Sequence, residues 1–372
     1  GVRIAWLAGF FFAVIPYNIY WSRVILPEPT LVFLTTGMIF FFDKWVESEK
    51  IKYWIPALLF GVLALLVKFT AVFFAIPMAY LIFKKWGRKA FFNPWIYAYA
   101  LITVIPFFLW RLHISQYPEG IPAYLWLFNG NNIRFKGAWF WWLFAERISK
   151  MILGGWGVGL FILGIIRNME LGKNKSSWIF HFWLLGMLLY LIVFATGNVQ
   201  HDYYQIILIP IICIFIARGA DLLISGIRES IHPWLGRIMF GVLVFFMLSF
   251  GWYQARDLYN INHPEIVEVG REFDRLVPNA QVKVIAPYNG DTAFLYQTGK
   301  RGWPIIEESV DALIEKGAQF YISTNFDEVT RQLINVAQNV IAGTDSLHPY
   351  KIIKQTDNYV IIQLVQDKLL PQ

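Results

Sequence analysis

The 372-residue chain is 57% hydrophobic and 18% aromatic but only 15% charged, against roughly 25% charged residues in soluble domains. With a mean hydropathy of +0.49, that composition excludes a wholly soluble protein, because the polar residues are too few to cover the apolar ones. The net charge of +7 does not point to nucleic acid, since the basic residues are spread over short loops beside apolar blocks, the pattern of positive loops facing a cytoplasm.

Taken in chain order, the apolar blocks predict about nine membrane crossings, near 4–21, 27–42, 53–67, 71–83, 95–110, 151–166, 178–195, 205–217 and 238–253. The first block starts at Ile4 with neither a signal-peptide n-region nor a cleavage site before it, so the chain reads as lacking the N-terminal part of a longer protein. The single cysteine, Cys213, lies in the apolar run IICIFIA and reads as a small buried hydrophobe. It leaves no partner for a disulfide or a cysteine metal cluster. Near Arg256 the composition changes to that of an ordinary globular chain, which divides the protein into a membrane domain over 1–256 and a soluble domain over 257–372.

Orientation follows from alternate loops. Lys44, Lys50 and Lys52 fall in one, Lys84, Lys85, Arg88 and Lys89 in the next, then Arg167, Lys173 and Lys175, and finally Arg218, Arg228 and Arg237. These loops carry most of the loop Lys and Arg and are expected on the cytoplasmic side, which puts the tail outside. The opposite loops are chemically distinctive. YWSRVILPEPT carries Arg23 and a Glu28 between two prolines, and LLVKFTAVFF carries Lys68 between apolar runs. A lone buried lysine there costs about 2.5–3.5 kcal/mol unless it is paired or reaches water. A long loop over 111–150 is rich in aromatics and carries Arg134 and Lys136, and GNVQHDYYQ carries His201, Tyr203 and Tyr204. Cationic and aromatic groups converging on one face suit an anionic lipid headgroup and a sugar.

In the tail, strand-like runs VKVIA, FYIST, YKIIKQT and YVIIQLV alternate with helical SVDALIEKG and FDEVTRQLINVAQ, which predicts a small α/β domain. An Asp357-Asn358 turn joins the last two strands as a hairpin. The tail has no GxGxxG, Walker or DxD motif, so folding or acceptor docking suits it better than catalysis.

The runs SRVILPEPTLVF, LLVKFTAVFF, PEGIPAYLWLFNGNNIRF and HDYYQIILIPI, in that order and spacing, resemble GT-C glycosyltransferases. Among these the chain is most similar to the bacterial relatives of protein O-mannosyltransferases and of the lipid A aminoarabinose transferase. The resemblance covers most of 1–256, and the tail looks like the extracytoplasmic α/β domain often attached there. It implies a membrane all-α fold, a multi-pass helical bundle in a prokaryotic plasma membrane, with the active site on the extracytoplasmic face. The donor implied is a polyprenyl-phosphate sugar and the acceptor a protein, lipid or glycan, with no nucleic acid partner. No cofactor is implied with certainty, and a divalent metal is left open. The family's usual acid in its first outer loop has no counterpart here, which places that loop and two crossings upstream of Gly1. A second acidic position of the family falls on Glu28, where Asp is commoner. Its phosphate-contacting basic residue falls on Lys68, its long-loop contacts on Arg134 and Lys136, and its HxYY-like segment on His201, Tyr203 and Tyr204.

Each of these residues also has a plainer reading. Glu28 suits the N-terminus of the helix that starts there, Arg23 suits an ion pair with Glu28, and Lys68 suits a side chain snorkelling to the interface. Tyr203 and Tyr204 suit an interfacial aromatic belt, as do Trp139, Trp141 and Trp142. His181 reads as a packed core histidine, and Arg134 and Lys136 as solvated loop residues. Among whole-protein readings, a transporter or lipid flippase is the main rival, but it predicts internal repeats and matched broken helices, which the sequence does not show. A structural scaffold leaves Lys68 without a reason for its position.

The orientation is testable by cysteine labelling. A cysteine at Ser346 is expected to react with a membrane-impermeant reagent in intact cells while cysteines at Lys50 and Lys85 are protected; the reverse pattern would invert the topology.

Overall fold

The computed structural model describes residues 1–117, 124–170, 178–226, 230–260, 263–288, 290–341 and 349–365. The PEGIPA segment, Lys173, Lys175, Arg228 and Ser346 lie outside the described residues. The chain forms two compact units, Gly1–Tyr259 and Asn260–Gln372.

The first unit is helical. Its opening apolar block is two helices, Val2–Val14 and Pro16–Trp21, and not the continuous crossing expected over 4–21. The cause is local. Pro16 forbids the helical conformation to the residue before it, and Ile15 is accordingly extended at φ −62°, ψ 118°. The helices Pro27–Ser48, Ile51–Val67, Pro94–Ile114, Ile179–Val193 and Pro233–Ala255 then fall on the apolar blocks. Among the described residues, four helices are long and apolar enough to cross a membrane, or five if one bent pair counts as a single span. Val2–Val14, Ile51–Val67 and Ile179–Val193 are apolar but shorter.

The long outer loop expected over 111–150 is also corrected. It contains short helices at Trp126–Asn129 and Gly137–Phe140, and a π-helix over Trp141–Ile152. The helical run Gly137–Ile152 meets Gly157–Arg167 at 107°, and the bend occurs at Gly154 and Gly155, which have φ of 53° and 70°. Only glycine adopts such angles freely.

Small residues set the closest helix contact. Helices Gly157–Glu170 and Ile209–Ser225 cross so tightly that a Cβ on Gly164 would lie 1.8 Å from the Phe215 carbonyl oxygen, and one on Gly219 would lie 2.0 Å from that of Leu160. Close backbone approach of this kind is how helices associate where lipid removes the hydrophobic drive.

The second unit is a five-stranded sheet ordered β2-β1-β3-β5-β4. The strands are β1 Lys283–Ile285, β2 Arg301–Trp303, β3 Phe320–Ser323, β4 Lys351–Gln355 and β5 Val360–Gln363. β1 runs parallel to β2 and β3, and β5 is antiparallel to β3 and β4. Alternate residues enter opposite cores. Val284, Phe320 and Ile361 pack with Val269, Phe273 and Phe294 on one face, while Ile285, Tyr321 and Val360 pack with Leu313, Leu333 and Ala337 on the other. Covering both faces explains why these strands read as unbroken apolar runs. β2, sequence RGW, has neither the length nor the pattern of a strand and escaped sequence reading.

Gly164→Val should disrupt the glycine contact and cost about 1–3 kcal/mol or more from overpacking. Gly159→Ala points into open space and serves as the control. The comparison is of thermal unfolding in detergent; equal midpoints for the two variants would show that the crossing does not form.

Candidate functional site

The site begins with two ends of helices. Pro27 occupies the first turn of helix Pro27–Ser48, where its missing N–H costs nothing, and Glu28 follows it, 2% exposed. The helix has no side-chain cap hydrogen bond, so Glu28 is not its cap. Its Oε1 instead accepts from Lys68 Nζ in a part-buried ion pair, and its Oε2 is buried without a hydrogen-bond partner. Lys68 lies where helix Ile51–Val67 gives way to a 3₁₀ turn, Phe69–Phe74, with extended backbone at φ −158°. That break directs the side chain inward from two lipid-facing runs.

Lys68 Nζ also sits 4.2 Å from the centroid of the Tyr204 ring, a cation–π contact that strengthens when water is excluded. Around Tyr204 the aromatic groups are contiguous. The His201 ring lies 5.0 Å from Tyr204, 5.2 Å from Tyr203 and 5.6 Å from Trp126, and Tyr203 meets Trp21 at 5.5 Å. Beneath them, the fully buried Tyr17 donates its hydroxyl to the Asp202 carbonyl at 2.6 Å, and Tyr190 donates to the Tyr204 carbonyl at 3.2 Å. Gln205 anchors the segment by donating to the carbonyl and side-chain oxygens of Asn198. The HDYY segment is therefore fixed from behind, with the Tyr204 ring against Lys68.

The other sequence candidates are placed differently. Arg23 is exposed and makes no ion pair among the described residues, so the pairing with Glu28 that its position suggested goes to Lys68 instead. Lys136 is exposed at the end of a 3₁₀ turn. Arg134 is half-buried and donates to the carbonyls of Phe128 at 3.3 Å and Val193 at 3.1 Å, which ties its loop to the helix bundle; its Nε is buried and unpartnered. His181 contacts the Ile165 carbonyl and packs on Phe215, as a core histidine does. Tyr17, Trp21 and Arg147 were not singled out in the sequence. Arg147 donates to the Val199 carbonyl at 3.4 Å and so reaches the HDYY segment from the π-helix. Its only sequence signal is a cation inside an aromatic amphipathic run, which any interfacial helix shares.

An apolar cavity of about 620 Å³ runs along the helix that carries Glu28. Pro29, Val32, Phe33, Gly37 and Phe41 line it at helical spacing, opposite Ile206 and Pro210. It starts one residue past Glu28 and follows the helix for about 18 Å. Among the described residues no group of three or more His, Cys, Asp or Glu side chains is arranged to hold a metal ion.

Residues 1–110, which include both Glu28 and Lys68, match the family model described as dolichyl-phosphate-mannose-protein mannosyltransferase. That part of the chain is thus similar to membrane glycosyltransferases of the GT-C type. No curated protein matches the chain.

Burial pushes the His201 imidazole below its ordinary pKa; nearby Lys68 adds to that effect, and Asp202 and Glu28 oppose it. The folded chain thus favours the neutral ring. Below about pH 6.5 the unfolded chain gains a proton that the folded chain resists, so stability should fall as pH drops through that value and level off once the folded ring protonates too. His201→Asn should flatten the stability curve between about pH 7 and pH 5. An unchanged slope in detergent unfolding would assign the effect to other groups.

Proposed function

We propose that this protein transfers a sugar from a polyprenyl-phosphate donor to an acceptor hydroxyl at the extracytoplasmic membrane face. The observation that carries the reading is the Glu28–Lys68 pair, with its free carboxylate oxygen and the Tyr204 ring over the ammonium, on the same helix as an apolar groove that begins at Pro29. A polyprenyl phosphate needs both features together, a cation for its headgroup and an apolar trough for its chain.

In this reading the donor phosphate joins Lys68, which uses the N–H donors not engaged by Glu28. The Tyr203, Tyr204 and His201 rings supply flat faces for the sugar. The acceptor oxygen attacks the anomeric carbon as the bond from that carbon to the phosphate oxygen breaks. The electron pair leaves with the polyprenyl phosphate, and the acceptor proton passes to Glu28. Direct displacement inverts the anomeric centre. Lys68 contributes most where negative charge develops on the departing phosphate, since a fixed cation in a dry site stabilises that charge without reorganising. The sugar-transfer class is supported by the likeness of residues 1–110 to membrane mannosyltransferases.

Transfer of labelled sugar from a polyprenyl-phosphate donor, measured in native membranes, tests the proposal. Lys68→Ala should lower turnover about 10²–10³-fold. Glu28→Gln keeps shape and hydrogen bonding but removes the charge, and should cost about 10²–10⁴-fold if Glu28 takes the proton. Near-normal turnover of both variants at normal expression would remove the pair from the chemistry. A transporter would show no transfer even in the unmodified protein.

A further inference from the structure

At the far end of the span Tyr204–Ser225 lies a second set of buried charges that sugar transfer does not use. Asp221 is seventeen residues beyond Tyr204, roughly 25 Å along a helix, and therefore belongs to the opposite side of the bundle from Glu28 and Lys68. Two guanidinium groups pair with that carboxylate, and a third, that of Arg218, belongs to the same helix one turn earlier. Arg167 donates to Asp221 Oδ2 at 2.6 Å and to the Arg218 carbonyl at 3.0 Å. Arg3 pairs with Asp221 Oδ1 at 3.2 Å and donates to Ser225 Oγ at 3.2 Å.

Arg218 is the anomaly. It is only 5% exposed, yet its guanidinium makes no ion pair or hydrogen bond with the described residues. It leans on the Phe215 ring, 5.6 Å from its centroid, and the charge acting on it is the like charge of Arg167. An unpaired guanidinium that stands beside another cation at the end of a membrane helix favours an anion that can neutralise it. Asp221 is already shared by Arg3 and Arg167 and cannot serve all three.

We propose that this cluster is a binding site for the phosphate of an anionic phospholipid in the leaflet opposite the Glu28–Lys68 site. The chemistry selects a phosphodiester. Arginine forks pair with phosphate oxygens in a bidentate way, and basic clefts between helices at the membrane surface are where such headgroups lodge. Arg218 supplies the free donors, Arg3 the exposed rim, and Asp221 holds Arg167 and Arg3 in place so that their remaining donors face the same headgroup. A neutral zwitterionic lipid leaves the excess positive charge uncompensated, so the site discriminates by headgroup charge.

The test uses the purified full chain in detergent, with thermal unfolding followed as lipid is added. Phosphatidylglycerol should raise the unfolding midpoint, while phosphatidylcholine and inorganic phosphate should not. Arg218→Gln removes the charge but breaks no ion pair, so the fold should survive, and its apparent affinity for phosphatidylglycerol should fall about tenfold or more. Arg218→Lys keeps a charge without the fork and should fall between the two. Equal stabilisation by phosphatidylcholine, or undiminished phosphatidylglycerol binding by Arg218→Gln, would overturn the proposal. Stabilisation by inorganic phosphate alone would overturn the lipid and leave a simple anion site. Should Arg218→Gln fail to fold, native mass spectrometry of the unmodified protein and Arg218→Lys decides the matter: no retained phosphatidylglycerol in the unmodified protein, or equal retention by both, would sink the idea.

Discussion

A carboxylate that is 2% exposed in an apolar bundle needs a partner for its oxygens. The Glu28–Lys68 pair meets that requirement, and much of the local architecture follows from it. Helix Ile51–Val67 has to stop at Lys68, and the backbone has to turn extended for one residue before the 3₁₀ turn. Tyr204 has to sit over the ammonium, which in turn fixes the HDYY segment between Trp21, Trp126 and Tyr190. Removing either charge would leave the other buried and unpaired, which costs more than the pair itself contributes.

Two clusters of charge in the first unit lie toward the two ends of the span Tyr204–Ser225. One end holds a carboxylate matched by a lysine; the other holds a carboxylate outnumbered by arginines. Between them the helix Ile209–Ser225 is almost wholly buried, and its tight crossing with Gly157–Glu170 depends on paired glycines. Polar groups at the middle of such a span would have no water to meet them, whereas at its ends they can reach a headgroup or solvent. A bundle built this way presents two chemically different faces from one rigid element.

The second unit is stabilised on different terms. Its strands are short, three to five residues, and depend on helices packed against both faces of the sheet. Tyr321, in the centre of the sheet, hydrogen-bonds Thr330 on the helix Glu328–Ile341 at 2.6 Å, so that even the buried hydroxyl is satisfied. β5 inserts between β3 and β4 and runs antiparallel to both. That placement lets the chain close the sheet with a hairpin at Asp357 and Asn358 and needs no further crossover helix.

By itself the sequence determined the helical membrane character of the first unit, the α/β character of the second, and the segments that hold the site, because hydropathy, strand period and turn chemistry are local properties. Glu28, Lys68, His201, Tyr203 and Tyr204 were legible as polar or aromatic residues interrupting apolar runs, where burial demands a reason. Only the tertiary structure decided which charges pair. It gave Lys68 to Glu28 and left Arg23 exposed, tied Arg134 to backbone carbonyls, and brought Tyr17 and Trp21 from another helix beneath the HDYY segment. It also broke the first expected crossing before Pro16 and folded part of the expected outer loop into a π-helix followed by a bend at paired glycines. Ion pairing, ring stacking and helix bending depend on which distant residues share a space a few ångströms wide, and residue order along one chain does not carry that information.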